Sequence, residues 1–207
     1  VVNLSLLSVF VPTFFMVSLT PGMCMTLSMV LGMTVGVRRA LWMMVGELAG
    51  VGLVAVAAGA GVAALMLRQP MLFAVFKGLG GAYLVYLGFM MWRSRGRMAI
   101  PLESRETADV SRLHLLAQGF VTAIANPKGW AFFIALLPPF LDASLPLAPQ
   151  LAVLVAMILA IELTCLLLYA GGGRGASRLL AQGGNVRLLN RIAGTLMIGV
   201  GIWLALG

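Results

Sequence analysis

Residues 4–35 read LSLLSVFVPTFFMVSLTPGMCMTLSMVLGMTV. A helix that crosses a bilayer needs roughly 20 apolar residues, and this run is well over that length. Surplus length is taken up by tilt, a break or a re-entrant portion. Near the middle stands Leu19-Thr20-Pro21-Gly22. Proline has no amide hydrogen and clashes with the preceding turn, and glycine relaxes the helix further. The sequence therefore predicts a first helix broken at proline. Backbone polar groups freed at membrane depth persist only where protein buries them or water reaches them, so a substrate could use them.

Five further apolar segments follow, at about 40–67, 71–92, 113–141, 147–170 and 188–206. The fourth is also long and is interrupted by Ala125-Asn126-Pro127-Lys128-Gly129. The expected fold class is an all-α polytopic membrane protein of about six transmembrane helices. Residues 1–92 form a first three-helix repeat, 93–112 a polar cytoplasmic linker and 113–207 a second three-helix repeat, all within one membrane domain. Each half opens with its proline-interrupted segment. An odd number of spans per half inverts one half relative to the other, a transporter design that places substrate near the midplane where the breaks meet. A Gly-rich basic connector, Gly171-Gly172-Gly173-Arg174-Gly175, is expected after the fifth segment.

Composition supports the bilayer. Of 207 residues, 61% are hydrophobic and 10% charged, and the mean hydropathy is +1.05. A soluble domain is about a quarter charged, so this chain lacks the polar surface that water requires. The net charge of +8 does not indicate nucleic acid, because the basic residues sit in short tracts between apolar runs and are not interleaved with aromatic residues. Eleven arginines fall in the connectors after segments one, three and five, against Arg68 alone on the other side. By the positive-inside rule the odd-numbered connectors are cytoplasmic and both termini lie outside. The N-terminal apolar stretch is too long for the core of a leader and has no basic residues before it. The first helix is expected to insert uncleaved.

Cys24 and Cys165 lie in apolar runs without metal-ligand spacing and read as buried thiols. His114 is the lone histidine, in a basic stretch at headgroup level. Neither a metal site nor a cofactor is expected. The chain has no phosphate-binding loop and no hydrolase motif, so the protein is not expected to be an enzyme.

The residues that can carry chemistry are charged groups at membrane depth. Lys128 sits near the centre of its segment, where a charge costs at least about 2.5 kcal/mol. It must face a cavity, pair with an acid or lose its proton. Glu47, in Gly46-Glu47-Leu48-Ala49-Gly50, and Glu162 are intramembrane carboxylates, candidates for ion pairing or proton coupling. Lys77 lies near the outer end of the third segment and either snorkels to the headgroups or finds a buried partner. Thr20, Pro21, Gly22, Asn126, Pro127 and Lys128 are the candidate substrate-binding residues. The bland alternatives are a proline kink and structural Lys–Glu pairs. Small residues at Gly32/Gly36, Gly46/Gly50, Gly78/Ala82 and Gly194/Gly199 read as helix-packing positions.

These motifs resemble the LysE/RhtB-type amino-acid exporters, the lysine exporter or threonine efflux family. The resemblance is carried by Leu19-Thr20-Pro21-Gly22, Gly46-Glu47-Leu48-Ala49-Gly50, Phe76-Lys77-Gly78-Leu79-Gly80-Gly81-Ala82-Tyr83-Leu84, Ala125-Asn126-Pro127-Lys128 and Pro138-Pro139-Phe140. It spans most of the chain in order. One departure stands at Met23, where the family usually has a second proline. Met23, Met25, Met29 and Met33 cluster there, and methionine is an ordinary gap-filler. The resemblance implies secondary efflux of amino acids or close derivatives across a bacterial inner membrane, with protons as the exchanged ion and the lipid bilayer as the surrounding partner. A homo-oligomer is left open. A channel-like efflux pore and a non-enzymatic assembly subunit remain competing readings.

Overall fold

Helices begin and end where the sequence punctuates them. A computed structural model describes residues 4–94, 110–142, 144–181 and 183–206. Helix α1 (Leu4–Leu19) and helix α2 (Met23–Thr34) flank Thr20-Pro21-Gly22 and meet at a bend of 58°. Between α2 and helix α3 (Val37–Arg68) the chain turns at Gly36, whose φ of +82° is a left-handed conformation that disfavours side chains. Helix α4 (Pro70–Arg93) starts with proline in its first turn, where the missing amide hydrogen costs nothing.

The second proline break is capped. Helix α5 (Arg112–Ile124) begins at Ser111, whose hydroxyl accepts the His114 amide at 3.2 Å. Helix α6 (Pro127–Leu136) begins at Asn126, whose side-chain oxygen accepts the Lys128 amide at 3.1 Å. At 1.5 Å per residue α5 and α6 reach only about 20 Å and about 15 Å, too short to cross a bilayer singly. A 3-10 turn (Pro138–Phe140) leads to helix α7 (Leu147–Ala181) and helix α8 (Gly183–Leu206).

Among the described residues the chain is all-helical, with no strand. Helices α3, α7 and α8 are each long and apolar enough to cross a membrane, and the bent α1–α2 pair qualifies together as a fourth span. Large apolar side chains face outward, including Met71, Leu72, Val75, Leu79, Phe89 and Leu206. In water that surface would be a liability, and in lipid it is the solvated face.

The expected connector at 171–175 is corrected: these residues continue α7 as helix to Ala181. Glycine costs about 1 kcal/mol against alanine in a helix interior. That cost is smaller than leaving backbone groups unpaired beside the bilayer.

Helix α3 packs along α5, and α4 along α8. A methyl group added at Gly46 would collide with the Leu116 carbonyl, and one at Gly119 with the Met43 carbonyl. Gly88, Gly194 and Gly201 perform the same service between α4 and α8. Of the packing pairs expected from sequence, Gly32, Gly46, Gly50 and Gly194 bear on a neighbouring helix. Gly36, Gly78 and Gly199 face open space, because spacing along a helix does not say which face meets a partner.

The core has two parts. One gathers Phe10 and Phe14 of α1, Val54 of α3, Phe132, Phe133 and Leu136 of α6, Phe140 and Ile158. The other gathers Met25 and Met29 of α2, Met43 and Met44 of α3, and Leu166 and Tyr169 of α7.

Candidate functional site

A cavity of about 250 Å³ borders both parts of the core. It lies where α1 gives way to α2, and α3, α6 and α7 close around it. Tyr169 on α7 donates its hydroxyl to the Leu19 carbonyl at 2.7 Å, satisfying an oxygen at the end of α1. Ser28 on α2 donates to the Leu166 carbonyl at 2.8 Å. The two half-helices are thus each tied to α7, which fixes the bend between them. The first turn of α2 opens on the cavity, with Gly22, Met23, Cys24 and Met25 among its lining. Its N-cap, Gly22, supplies no side-chain cap. The amides of a helix's first turn have no intrahelical acceptor and form a favourable seat for an anion.

Six of the nine residues singled out from sequence meet on this wall: Thr20, Gly22, Glu47, Asn126, Lys128 and Glu162. Lys128 is half-buried and donates to the Thr20 hydroxyl at 2.9 Å and to the Val17 carbonyl at 3.3 Å. Thr20 passes its own hydrogen to the same Val17 carbonyl at 2.5 Å. An ammonium has three donors, so one remains for a molecule in the cavity. Pro21 shapes the break without lining the cavity. Pro127 takes the first position of α6, and its side chain lies outside those described. The Lys77 side chain also lies outside the described set, although its backbone belongs to α4.

The two carboxyl groups are treated differently. Glu162 accepts the Ser18 hydroxyl at 2.7 Å. Glu47 is fully buried, and neither of its oxygens meets hydrogen-bond geometry. Among the described residues, the polar side chains of Cys24 and Glu162 face it. The pairing of Lys128 with an acid, open from sequence, is not what the geometry shows. Among the described residues the ammonium is held by a hydroxyl and a carbonyl.

The remaining wall is apolar, formed by Phe14, Val17, Val51, Val54, Phe132 and Phe133. Asn126 caps α6 and also directs its amide to the Cys24 sulfur at 3.8 Å. Both cysteines are free and buried, in line with their reading from sequence. Ser18, Ser28 and Tyr169 were not singled out from sequence. A hydroxyl inside a long apolar run is the signal that could have found them, because at that depth it needs a partner.

Comparison with known proteins supplies the family. A protein of Vibrio cholerae, described as an uncharacterized membrane protein, is 29% identical over 188 residues, covering 91% of this chain and 90% of its own. The homoserine/homoserine lactone efflux protein of Salmonella typhimurium is 28% identical over 190 residues, 92% of this chain and 91% of its own. The leucine efflux protein of an Enterobacter species is 30% identical over 135 residues, 63% of this chain and 61% of its own. No solved structure matches. The family model described as LysE type translocator matches residues 15–207, nearly the whole chain, and the chain belongs to that family of membrane transporters.

Proposed function

We propose that this protein exports amino acids or close derivatives from the cytoplasm, in exchange for protons. One observation carries the reading. A lysine from one broken helix reaches the break of the other, on the wall of a cavity that also holds two carboxyl groups. An amino acid is a zwitterion and needs both signs at once. Lys128 and the first turn of α2 supply the positive side, suited to a carboxylate. Glu47 and Glu162 supply the negative side, suited to an ammonium group or a coupling proton. The apolar wall takes the side chain. Relatives named for homoserine, homoserine lactone and leucine efflux fit this chemistry.

The proposed topology is six spans in two inverted halves, 1–92 and 113–207, joined by the cytoplasmic linker 93–112. Packing supports it: α2 lies against α7 as α6 lies against α3, and α4 lies against α8. Those are the pairings that exchange of the two halves would produce. Both termini then lie outside and the arginine-rich connectors inside.

The experiment is counterflow of labelled leucine and homoserine in proteoliposomes, with and without an imposed pH gradient. Saturable exchange that a gradient drives uphill is the expected result. Flux without saturation and indifferent to the gradient would establish a pore instead. No flux at all would leave an assembly subunit as the reading.

A further inference from the structure

Every polar side chain on the cavity wall has a partner except one. Lys128 has Thr20 and Val17, Glu162 has Ser18, and Asn126 has the Lys128 amide and Cys24. Glu47 has none among the described residues, although its side chain is 0% exposed and lines the cavity. A buried carboxylate without a donor is strongly disfavoured. Such a group is tolerated with its proton on, or with a cationic donor against it.

The surroundings narrow the choice of donor. From α2 it faces Cys24, and from α7 Glu162. Lys128 on α6 shares the cavity but is anchored toward α1. The packed face of α5 presents Gly119, which lies against the Glu47 backbone, and none of the described α4 side chains lines the cavity. Among the described residues, no cation is placed against Glu47.

We propose that Glu47 seats the substrate's ammonium group, and that a proton and this ammonium occupy the carboxyl in turn. The inference rests on the amino-acid export reading and divides the labour that reading leaves shared between the two acids. Binding of the ammonium ionises Glu47, and its proton leaves to the medium: one proton out for one substrate in. At an acidic outer face the reverse exchange expels substrate and reloads the proton. Glu162, already held by Ser18, is not the exchange site.

The test uses the purified full chain in detergent, with L-leucine and with 4-methylpentanoate, which is leucine without its amine. Affinities are measured by calorimetry and thermal shift between pH 5.5 and 8.0, where neither probe changes charge appreciably. L-homoserine and 4-hydroxybutanoate form a second pair. For the wild type, leucine binding should weaken toward low pH, approaching tenfold per pH unit. Loss of the ligand amine should cost about ten- to a hundredfold. In Glu47→Gln both effects should shrink to a few-fold or less, and in Glu162→Gln both should persist.

Retention of both effects in Glu47→Gln, or their loss in Glu162→Gln alone, overturns the assignment. If Glu47→Gln does not purify as a single species, Glu47→Asp replaces it. The shorter acid should keep the pH dependence but reduce the penalty for removing the amine, and an unchanged penalty overturns the proposal. Wild-type protein that binds leucine or homoserine with no pH dependence leaves export standing and removes the Glu47 exchange. Wild-type protein that binds neither amino acid removes both.

Discussion

The Lys128 ammonium donates to the Thr20 hydroxyl at 2.9 Å, joining positions 108 residues apart in sequence. The contact ties the proline break of the first half to the proline break of the second. Both ends are polar groups that the surrounding apolar runs would otherwise leave stranded.

Removal of that lysine should disable the site. Lys128→Ala takes away the charge proposed to hold the substrate carboxylate, an interaction of about 1.5–3 kcal/mol. Uptake into inside-out vesicles is expected to fall about ten- to a hundredfold at subsaturating substrate. Activity equal to wild type would exclude Lys128 from substrate binding.

Thr20 should show a milder and separable effect. Thr20→Val keeps the shape of the side chain but removes the hydroxyl that accepts from Lys128 and donates to the Val17 carbonyl. A loss of about 1–3 kcal/mol in stability is expected, read as a lowered midpoint in thermal unfolding of detergent-solubilised protein. Thr20→Ser should recover most of it.

The glycine contacts separate tight helix pairs from open faces. Gly119→Val places a side chain against the Met43 carbonyl and should cost about 1–3 kcal/mol by forcing α3 from α5. Gly199→Ala meets nothing and should be neutral or stabilising by up to about 1 kcal/mol. Thermal midpoints of the two variants, measured side by side, check the contrast.

Gln150 is a buried polar group outside the cavity. Its amide accepts from the Asp142 nitrogen and donates toward the carbonyls of Asp142, Leu145 and Pro146. Gln150→Leu should release the loop before α7. Hydrogen exchange at residues 144–150 is expected to quicken while α3 stays protected.

The same loop should be insensitive to pH in the working range. The hydroxyl and amide of Ser144, at 2.6 Å and 2.9 Å, hold the Asp142 carboxyl below its ordinary value of 3.8. Because the folded value is depressed, the stabilisation is present above the unfolded value and lost as pH falls through the lower, folded one. Carboxyl titration by NMR should therefore show no Asp142 transition between pH 5 and 8. Ser144→Ala should move the carboxyl back up toward 3.8.

Much of the fold was legible because the bilayer simplifies it. Apolar runs and proline positions located the helices and the two breaks. The 171–175 stretch was misread because glycine clusters usually mark turns, while continuity with a long apolar helix prevailed here. Thr20, Glu47 and Lys128 stood out as polar or helix-breaking groups at membrane depth. The hydroxyl contacts of Ser18 and Tyr169 did not, because they span 144 and 150 residues. A hydroxyl on a helix is also easily satisfied by its own backbone, as Thr122, Thr164 and Thr195 are.

The bend at Thr20-Pro21-Gly22 has a consequence for how such a pocket diversifies. The amides at the start of α2 belong to the main chain, and most substitutions leave them in place. Val51, Val54, Phe132 and Phe133 are ordinary side chains, free to change in size. If the cargo sits as proposed, divergence among related transporters can alter its side chain while the grip on its common end is inherited intact. On the proposed reading, resizing those four positions should retarget such a protein.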